Sequence, residues 1–246
     1  MTSEHIVKAY DEELQHLNDI IARMGGLAEV QLADAIESVV KRDSELAART
    51  IEADSRVDAL EHEVDAFVVR MLALRQPMAA DLRNIIAALK ISSDLERIAD
   101  YATNVAKRAM ALSEMPPVPP VHAVSRMCRL TQDMIREVLD AFIEQDADKA
   151  LRVWNSDEEV DEMYTSLFRE LLTYMMEDPR SIGPCTHLLF IAKNIERIGD
   201  HSTNVAENIY FLVHGKPLLE DRPKGESSDI TVLSSTTGAG AKSAGS

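Results

Sequence analysis

The sequence predicts an all-α protein: two tandem, homologous three-helix bundles with six long helices in all. Three observations carry this. Apolar residues recur at three- and four-residue steps along most of the chain. Breakers are few and clustered, with nine glycines and nine prolines in 246 residues, while aromatics are only 4% of a chain rich in Ala, Leu and Glu. One stretch also returns: Asp94–Ala106 reads DLERIADYATNVA and Asn194–Ala206 reads NIERIGDHSTNVA, identical at eight of thirteen positions at an offset of 100.

The first helix is expected over 5–42, from Leu14, Leu17, Ile20, Ile21, Met24, Leu27 and Leu32. Gly25-Gly26 inside it reads as a close helix contact, with a kink as the alternative. Asp43-Ser44 mark a turn into a helix over 44–75, carried by Val57, Leu60, Val64, Phe67 and Met71. Gln76-Pro77 breaks the pattern, and a third helix follows over 78–113. The run Met115–Pro120, MPPVPP, cannot continue a helix, so 114–120 is a stiff linker between bundle 5–113 and bundle 121–214. The second bundle repeats the plan as 121–145, 147–177 and 183–214, with turns at Asp146–Asp148 and Asp178-Pro179. Trp154, near the start of its middle helix, reads as a packing anchor. Residues 215–246 are small, polar and aperiodic, and are expected to be a disordered tail.

Composition excludes several functions. A net charge of −16 opposes general nucleic-acid binding and a polybasic grip on anionic lipid, and favours cations or basic partner surfaces. Cys128 and Cys185 stand far apart outside any CxxC, so neither a disulfide framework nor a thiolate zinc site is expected. The start, MTSEHIVKAYDEEL, is not read as a signal peptide, and no apolar run is long enough to span a bilayer. No glycine-rich phosphate loop and no nucleophile–base pairing can be assigned, so no catalytic residue is named.

The chemistry sits in four acidic pairs spaced i, i+4: Asp54/Asp58, Glu96/Asp100, Asp157/Asp161 and Glu196/Asp200. On a helix each pair shares one face. A single such pair is most simply a solvated surface, but the register argues otherwise. Asp54 lies as far before Pro77 as Asp100 lies after it, and Asp58 and Glu96 are likewise level. About Asp178-Pro179, Asp157 is level with Asp200 and Asp161 with Glu196. If the faces turn toward each other, four carboxylates per half converge and need neutralising. Arg97 and Arg197 are adjacent, but one helical step turns about 100°, so a bound cation is the simpler solution. An all-oxygen set suits Mg²⁺, Ca²⁺, Mn²⁺ or iron more than structural zinc. Asn104 and Asn204, four residues beyond Asp100 and Asp200, extend the same faces as additional donors. No histidine follows Glu96 or Glu196 by three residues, so di-iron oxidase chemistry is not inferred. His201 reads as a satisfied or surface histidine.

The paired LERIAD…TNVA and IERIGDHSTNVA segments, with MGGLAEVQL in the first helix and RQPMAADLR around Pro77, resemble the PhoU family. The likeness covers about residues 5–214. The two E/D-x-x-x-D motifs per half match that family's metal-cluster motifs. The resemblance therefore implies a divalent ion or multinuclear cluster (Mg, Mn, Fe or Zn) on the eight acidic residues named above. It also implies a non-enzymatic, homodimeric negative regulator of the phosphate-starvation response. The implied partners are the ATPase subunit of the high-affinity phosphate ABC transporter and a sensor histidine kinase. The implied place is the cytoplasm, peripheral to the inner face of its membrane, with no nucleic-acid partner. The second-half turn, DPRSIGPCTHLL, departs from the first-half QPMAADLR, so the two turns need not meet the same partner. A different class of function, a metal-dependent phosphohydrolase or oxidase using the same carboxylates, would show turnover lost in Asp100→Ala. A bundle with merely solvated acidic stripes would be indifferent to chelators.

Overall fold

Asp43 and Asp146 begin matching helices in the two halves, and each does so with its own side chain. Asp43 Oδ1 accepts from Leu46 N at 2.9 Å; Asp146 Oδ1 accepts from Asp148 N at 2.9 Å and Lys149 N at 3.0 Å. The residue before each cap, Arg42 or Gln145, is left-handed, with φ of 56° and 52°. A turn of one shape thus recurs at an offset of 103, the backbone counterpart of the sequence repeat.

The computed structural model describes residues 2–75 and 79–219. These form α1 (Thr2–Lys41), α2 (Ser44–Ala53), α3 (Ser55–Arg75), α4 (Ala79–Ser113), α5 (Val121–Glu144), α6 (Ala147–Glu177) and α7 (Ile182–His214). A short 3-10 turn, Pro179–Ser181, stands between α6 and α7. The fold is all-α and repeats one three-helix plan twice, as the periodicity predicts.

One element differs. The helix expected over 44–75 is interrupted at Asp54, which keeps right-handed helical angles (φ −52°, ψ −44°). Val57 N donates back to Asp54 O at 2.9 Å, a three-residue step that tightens the ladder locally. The break at Gln76-Pro77 lies outside the described residues. Its counterpart is as expected: Asp178 ends α6, and its Oδ1 accepts from Arg180 N at 3.0 Å to start the next turn. The expected tail falls mostly outside the described residues as well. Of its first residues, Gly215 closes α7 in a left-handed conformation (φ 69°) and Leu218 packs against the core.

In the first half α1 lies along α4, with α2 and α3 against both; in the second, α6 lies along α7, with α5 against both. The halves join through α4 on α7 and α1 on α5, and their apolar side chains form one continuous core. The Gly25 expectation holds as close packing: a Cβ there would stand 2.1 Å from Leu139 Cδ2 on α5. Trp154 is 3% exposed and donates from Nε1 to Glu207 Oε1 at 3.0 Å. The linker is held as well, since Arg42 Nη2 donates to Ser113 O at 2.9 Å and also to Met115 O. Both cysteines are free and buried, and burial pushes the Cys128 thiol up to about 12. No described helix is long and apolar enough to cross a membrane.

Candidate functional site

Asp54 stands at the α2–α3 break and Asp58 one turn further on, on the side of α3 that meets α4. Glu96 and Asp100 occupy the middle of α4. The faces do turn toward each other. Burial, then Asp54, then Asp100 across the helix pair hold the Asp58 carboxyl above its ordinary range. The Glu96 carboxyl is pushed up to about 7, first by burial and then by Asp100, to which it is hydrogen-bonded. Glu61, a turn beyond Asp58, adds to this acidic patch and raises Glu96 further. Glu61 went unnoticed in the sequence because its own i, i+4 pair with Asp65 has no acidic counterpart at the level positions Ser93 and Leu89, although it lies on the same helical face as Asp54 and Asp58.

The second half has the same plan in a tighter form. Asp157 on α6 is 1% exposed. Its Oδ1 would lie 3.5 Å from a Cβ at Gly199, where the first half has Ala99. Burial raises the Glu196 carboxyl most, Lys193 opposes this, and Asp200 and Asp161 add to the rise. Glu196 therefore stands between Asp200 on its own helix and Asp161 on α6.

The neutralising groups correct the sequence reading. Arg97 is not turned away from the carboxylates. Its Nη1 donates to Asp100 Oδ2 at 3.2 Å, and its Nε lies 3.5 Å from Glu96 Oε2. A long guanidinium side chain folds back along the helix and overcomes the rotation of its Cα. Arg197 behaves as expected of a neighbour, stacking 5.6 Å from the Tyr101 ring centroid. In the second half Lys193 takes the neutralising role, donating to Glu196 Oε1 at 2.8 Å. Glu196 Oε2 is left buried without a hydrogen-bond partner.

Gln31 is a further participant that the acidic pattern could not reveal. It is 4% exposed on α1, and its Nε2 lies 2.9 Å from Asp54 Oδ1, 2.6 Å from Thr103 Oγ1 and 3.3 Å from Ala99 O. It ties the Asp54 break to α4. The signal was a lone glutamine on the apolar stripe of α1.

Asn104 and Asn204 both lie at the α4–α7 seam. Asn204 Nδ2 donates to Asp94 Oδ1 at 3.3 Å, and Asn104 lines a cleft between the two helices. His201 is a satisfied histidine, with Nδ1 2.9 Å from Asp94 Oδ1.

Each half thus brings carboxylates from two helices onto one patch. Among the described residues, as the side chains stand, no group of three or more His, Cys, Asp or Glu is arranged to hold a metal ion. Asp54 is turned toward Gln31, Glu96 and Asp100 toward Arg97, and Glu196 toward Lys193. The donor chemistry still suits a hard cation: oxygen-only, with a raised pKa at Glu96 and an orphaned buried oxygen on Glu196.

Comparison with known proteins places this geometry in a family. The PhoU domain model matches residues 21–109 and again 124–209, one match per half. A Caulobacter vibrioides protein described as "Phosphate-specific transport system accessory protein PhoU homolog" is 52% identical over 223 residues, spanning 90% of this chain and 97% of its own length. The Serratia marcescens "Phosphate-specific transport system accessory protein PhoU" is 41% identical over 214 residues, covering 87% of this chain and 88% of its own. Among solved structures, PhoU from Pseudomonas aeruginosa superposes with a TM-score of 0.81 at 42% identity, covering 84% of this chain and 100% of that one. With both halves matched and the fold superposable, the chain belongs to the PhoU family.

Proposed function

We propose that this chain is an accessory regulator of phosphate transport that restrains the phosphate-starvation response. In this reading it is a non-enzymatic adaptor, dimeric and cytoplasmic. It works at the inner face of the membrane, between the ATPase subunit of a phosphate ABC transporter and a sensor histidine kinase. The observation that carries the reading is the likeness of both halves to relatives described as accessory proteins of phosphate-specific transport. The long, uninterrupted α4 and α7 and the absence of an assigned nucleophile–base pair support an adaptor over an enzyme.

Metal binding belongs to the same reading. Asp54, Asp58, Glu96 and Asp100 would hold one cation or cluster, and Asp157, Asp161, Glu196 and Asp200 the other. A bound divalent cation would supply the positive charge that offsets the packed carboxylates. For it to bind, the chain must swing Arg97 and Lys193 off Asp100, Glu96 and Glu196, and turn the acidic oxygens inward. Occupancy would then compete with those ion pairs.

Two measurements test the reading. In phosphate-rich cells, the tagged chain should co-purify with the transporter ATPase or the sensor kinase, and its deletion should switch on phosphate-starvation genes. Recovery of neither partner, together with unchanged gene expression, would sink the adaptor. Metal content of the purified protein should fall by about half when Asp54, Asp58, Glu96 and Asp100 are all changed to Ala. Uptake of no metal by either form would remove the metal from the reading.

A further inference from the structure

α4 and α7 cross as an antiparallel pair at the seam between the repeats, with Asp94 against Asn204, Tyr101 against Arg197 and Arg108 against Phe190. Positions related by the 100-residue offset exchange across this seam, so each feature on one side has a counterpart on the other. The two sides have diverged in charge. Around Asp94 the seam is acidic, with Glu207 nearby along α7 in the role of Trp154 acceptor. On the opposite side the matching positions are Asn194 and Lys107. There a cleft of about 390 Å³ opens, lined by Asn104, Lys107, Arg108, His187, Phe190 and Asn194, and by no carboxylate.

We propose that this cleft binds a phosphate-type oxyanion, held by Lys107 and Arg108, with the Asn104 amide and the second Nδ2 hydrogen of Asn194, whose first is given to Phe190 O at 2.7 Å, as neutral donors. The chain carries 42 acidic residues against 26 basic ones, so a cleft that gathers two bases and no carboxylate runs against the overall charge. Neither Lys107 nor Arg108 makes an ion pair among the described residues. The Arg108 guanidinium is stacked 4.5 Å over the Phe190 ring, which fixes its plane and leaves its N–H edges for a bidentate acceptor. His187 Nδ1 is buried in the same wall without a hydrogen-bond partner. Burial, then the nearby Arg108 charge, holds that imidazole below its ordinary range. Two cations and two amides around one opening are the chemistry of oxyanion recognition. The cleft exceeds what one tetrahedral anion fills, so free orthophosphate and the phosphoryl tail of a nucleotide are both admitted. This site is separate from the acidic faces and does not depend on metal at them.

The test is titration calorimetry on the full chain, with EDTA present so that no metal bridges phosphate to the carboxylates. Chloride at equal ionic strength is the control. Sodium phosphate and adenosine triphosphate are the two probes. Saturable binding of either supports the site; orthophosphate binding shows the free anion suffices, and binding of the nucleotide alone assigns the phosphoryl group of a larger ligand. Lys107→Gln/Arg108→Gln should weaken binding by about tenfold or more, the scale of a lost charge-assisted contact. Asn194→Asp, which barely alters shape, should weaken it too by setting a carboxylate in the cleft. Lys149→Gln, on α6 and paired with Glu144, should leave it unchanged. Saturable binding of neither probe, or binding that both cleft variants leave intact, overturns the proposal.

Discussion

Gln31 on α1 donates to Asp54 at 2.9 Å, and the same amide lies within hydrogen-bonding distance of Thr103 and Ala99 on α4. A buried amide therefore fixes the helix break that presents the first carboxylate pair. Gln31→Leu removes the donor while keeping most of the volume. It should destabilise the fold by about 1–3 kcal/mol, because Asp54 loses a partner in a half-buried site. Urea unfolding checks this, and an unchanged midpoint would mean that water replaces the amide.

Glu96 makes stability depend on pH. Its carboxyl is pushed from 4.5 up to about 7 in the folded chain, so the fold holds that proton more tightly than the unfolded chain does. The resulting stabilisation is complete below about pH 4.5 and is lost as pH rises through about 7. Glu96→Gln keeps the neutral shape at every pH. In EDTA, it should match the parent near the acid end and exceed it by about 2 kcal/mol near pH 8. Paired unfolding curves at the two pH values measure this, and a constant difference between the proteins would refute it.

The register of the acidic pairs about Pro77 and about Asp178-Pro179 was legible because helix geometry and breakers are local properties of sequence. It set Asp54 level with Asp100, Asp58 with Glu96 and Asp161 with Glu196; in the fold Asp100 acts on Asp58, its diagonal neighbour, and Asp161 acts on Glu196. The interruption at Asp54 was not legible, since its backbone stays helical and only one hydrogen bond shortens its step. The roles of Gln31, Lys193 and Arg97 were hidden for another reason. A long side chain chooses its partner after the helices have packed, and spacing along one helix does not encode which neighbour it reaches. The same holds for Asn204, whose amide is drawn across the seam to Asp94.

The adjacent glycines of α1 should answer oppositely to alanine. At Gly25 a Cβ would meet the Leu139 side chain at 2.1 to 2.9 Å, and Leu139 is only 8% exposed, so its side chain must repack against the core or the helices must part. Gly25→Ala should cost about 1–3 kcal/mol despite its better helix propensity. At Gly26 nothing stands within 4 Å. Gly26→Ala should therefore stabilise by about 0.5–1 kcal/mol through propensity alone. Thermal unfolding of both variants, with Gly25→Ala/Leu139→Ala as a partial rescue, checks the pair. Equal effects at the two sites would contradict the α1–α5 contact.

Asp94 gathers two donors from the other repeat, His201 Nδ1 at 2.9 Å and Asn204 Nδ2 at 3.3 Å, on a side chain 15% exposed. Asp94→Ala strips both of their shared acceptor. Its cost should be about 1–3 kcal/mol, read at the junction of the halves and not within either bundle. Asp94→Asn retains one acceptor oxygen and should recover part of the loss. Hydrogen exchange distinguishes this from a general weakening: protection should fall first in the middle of α4 and α7, whereas α2 and α3, which do not touch the seam, keep theirs. Uniform loss of protection through all helices would instead mean that the two repeats unfold as one unit.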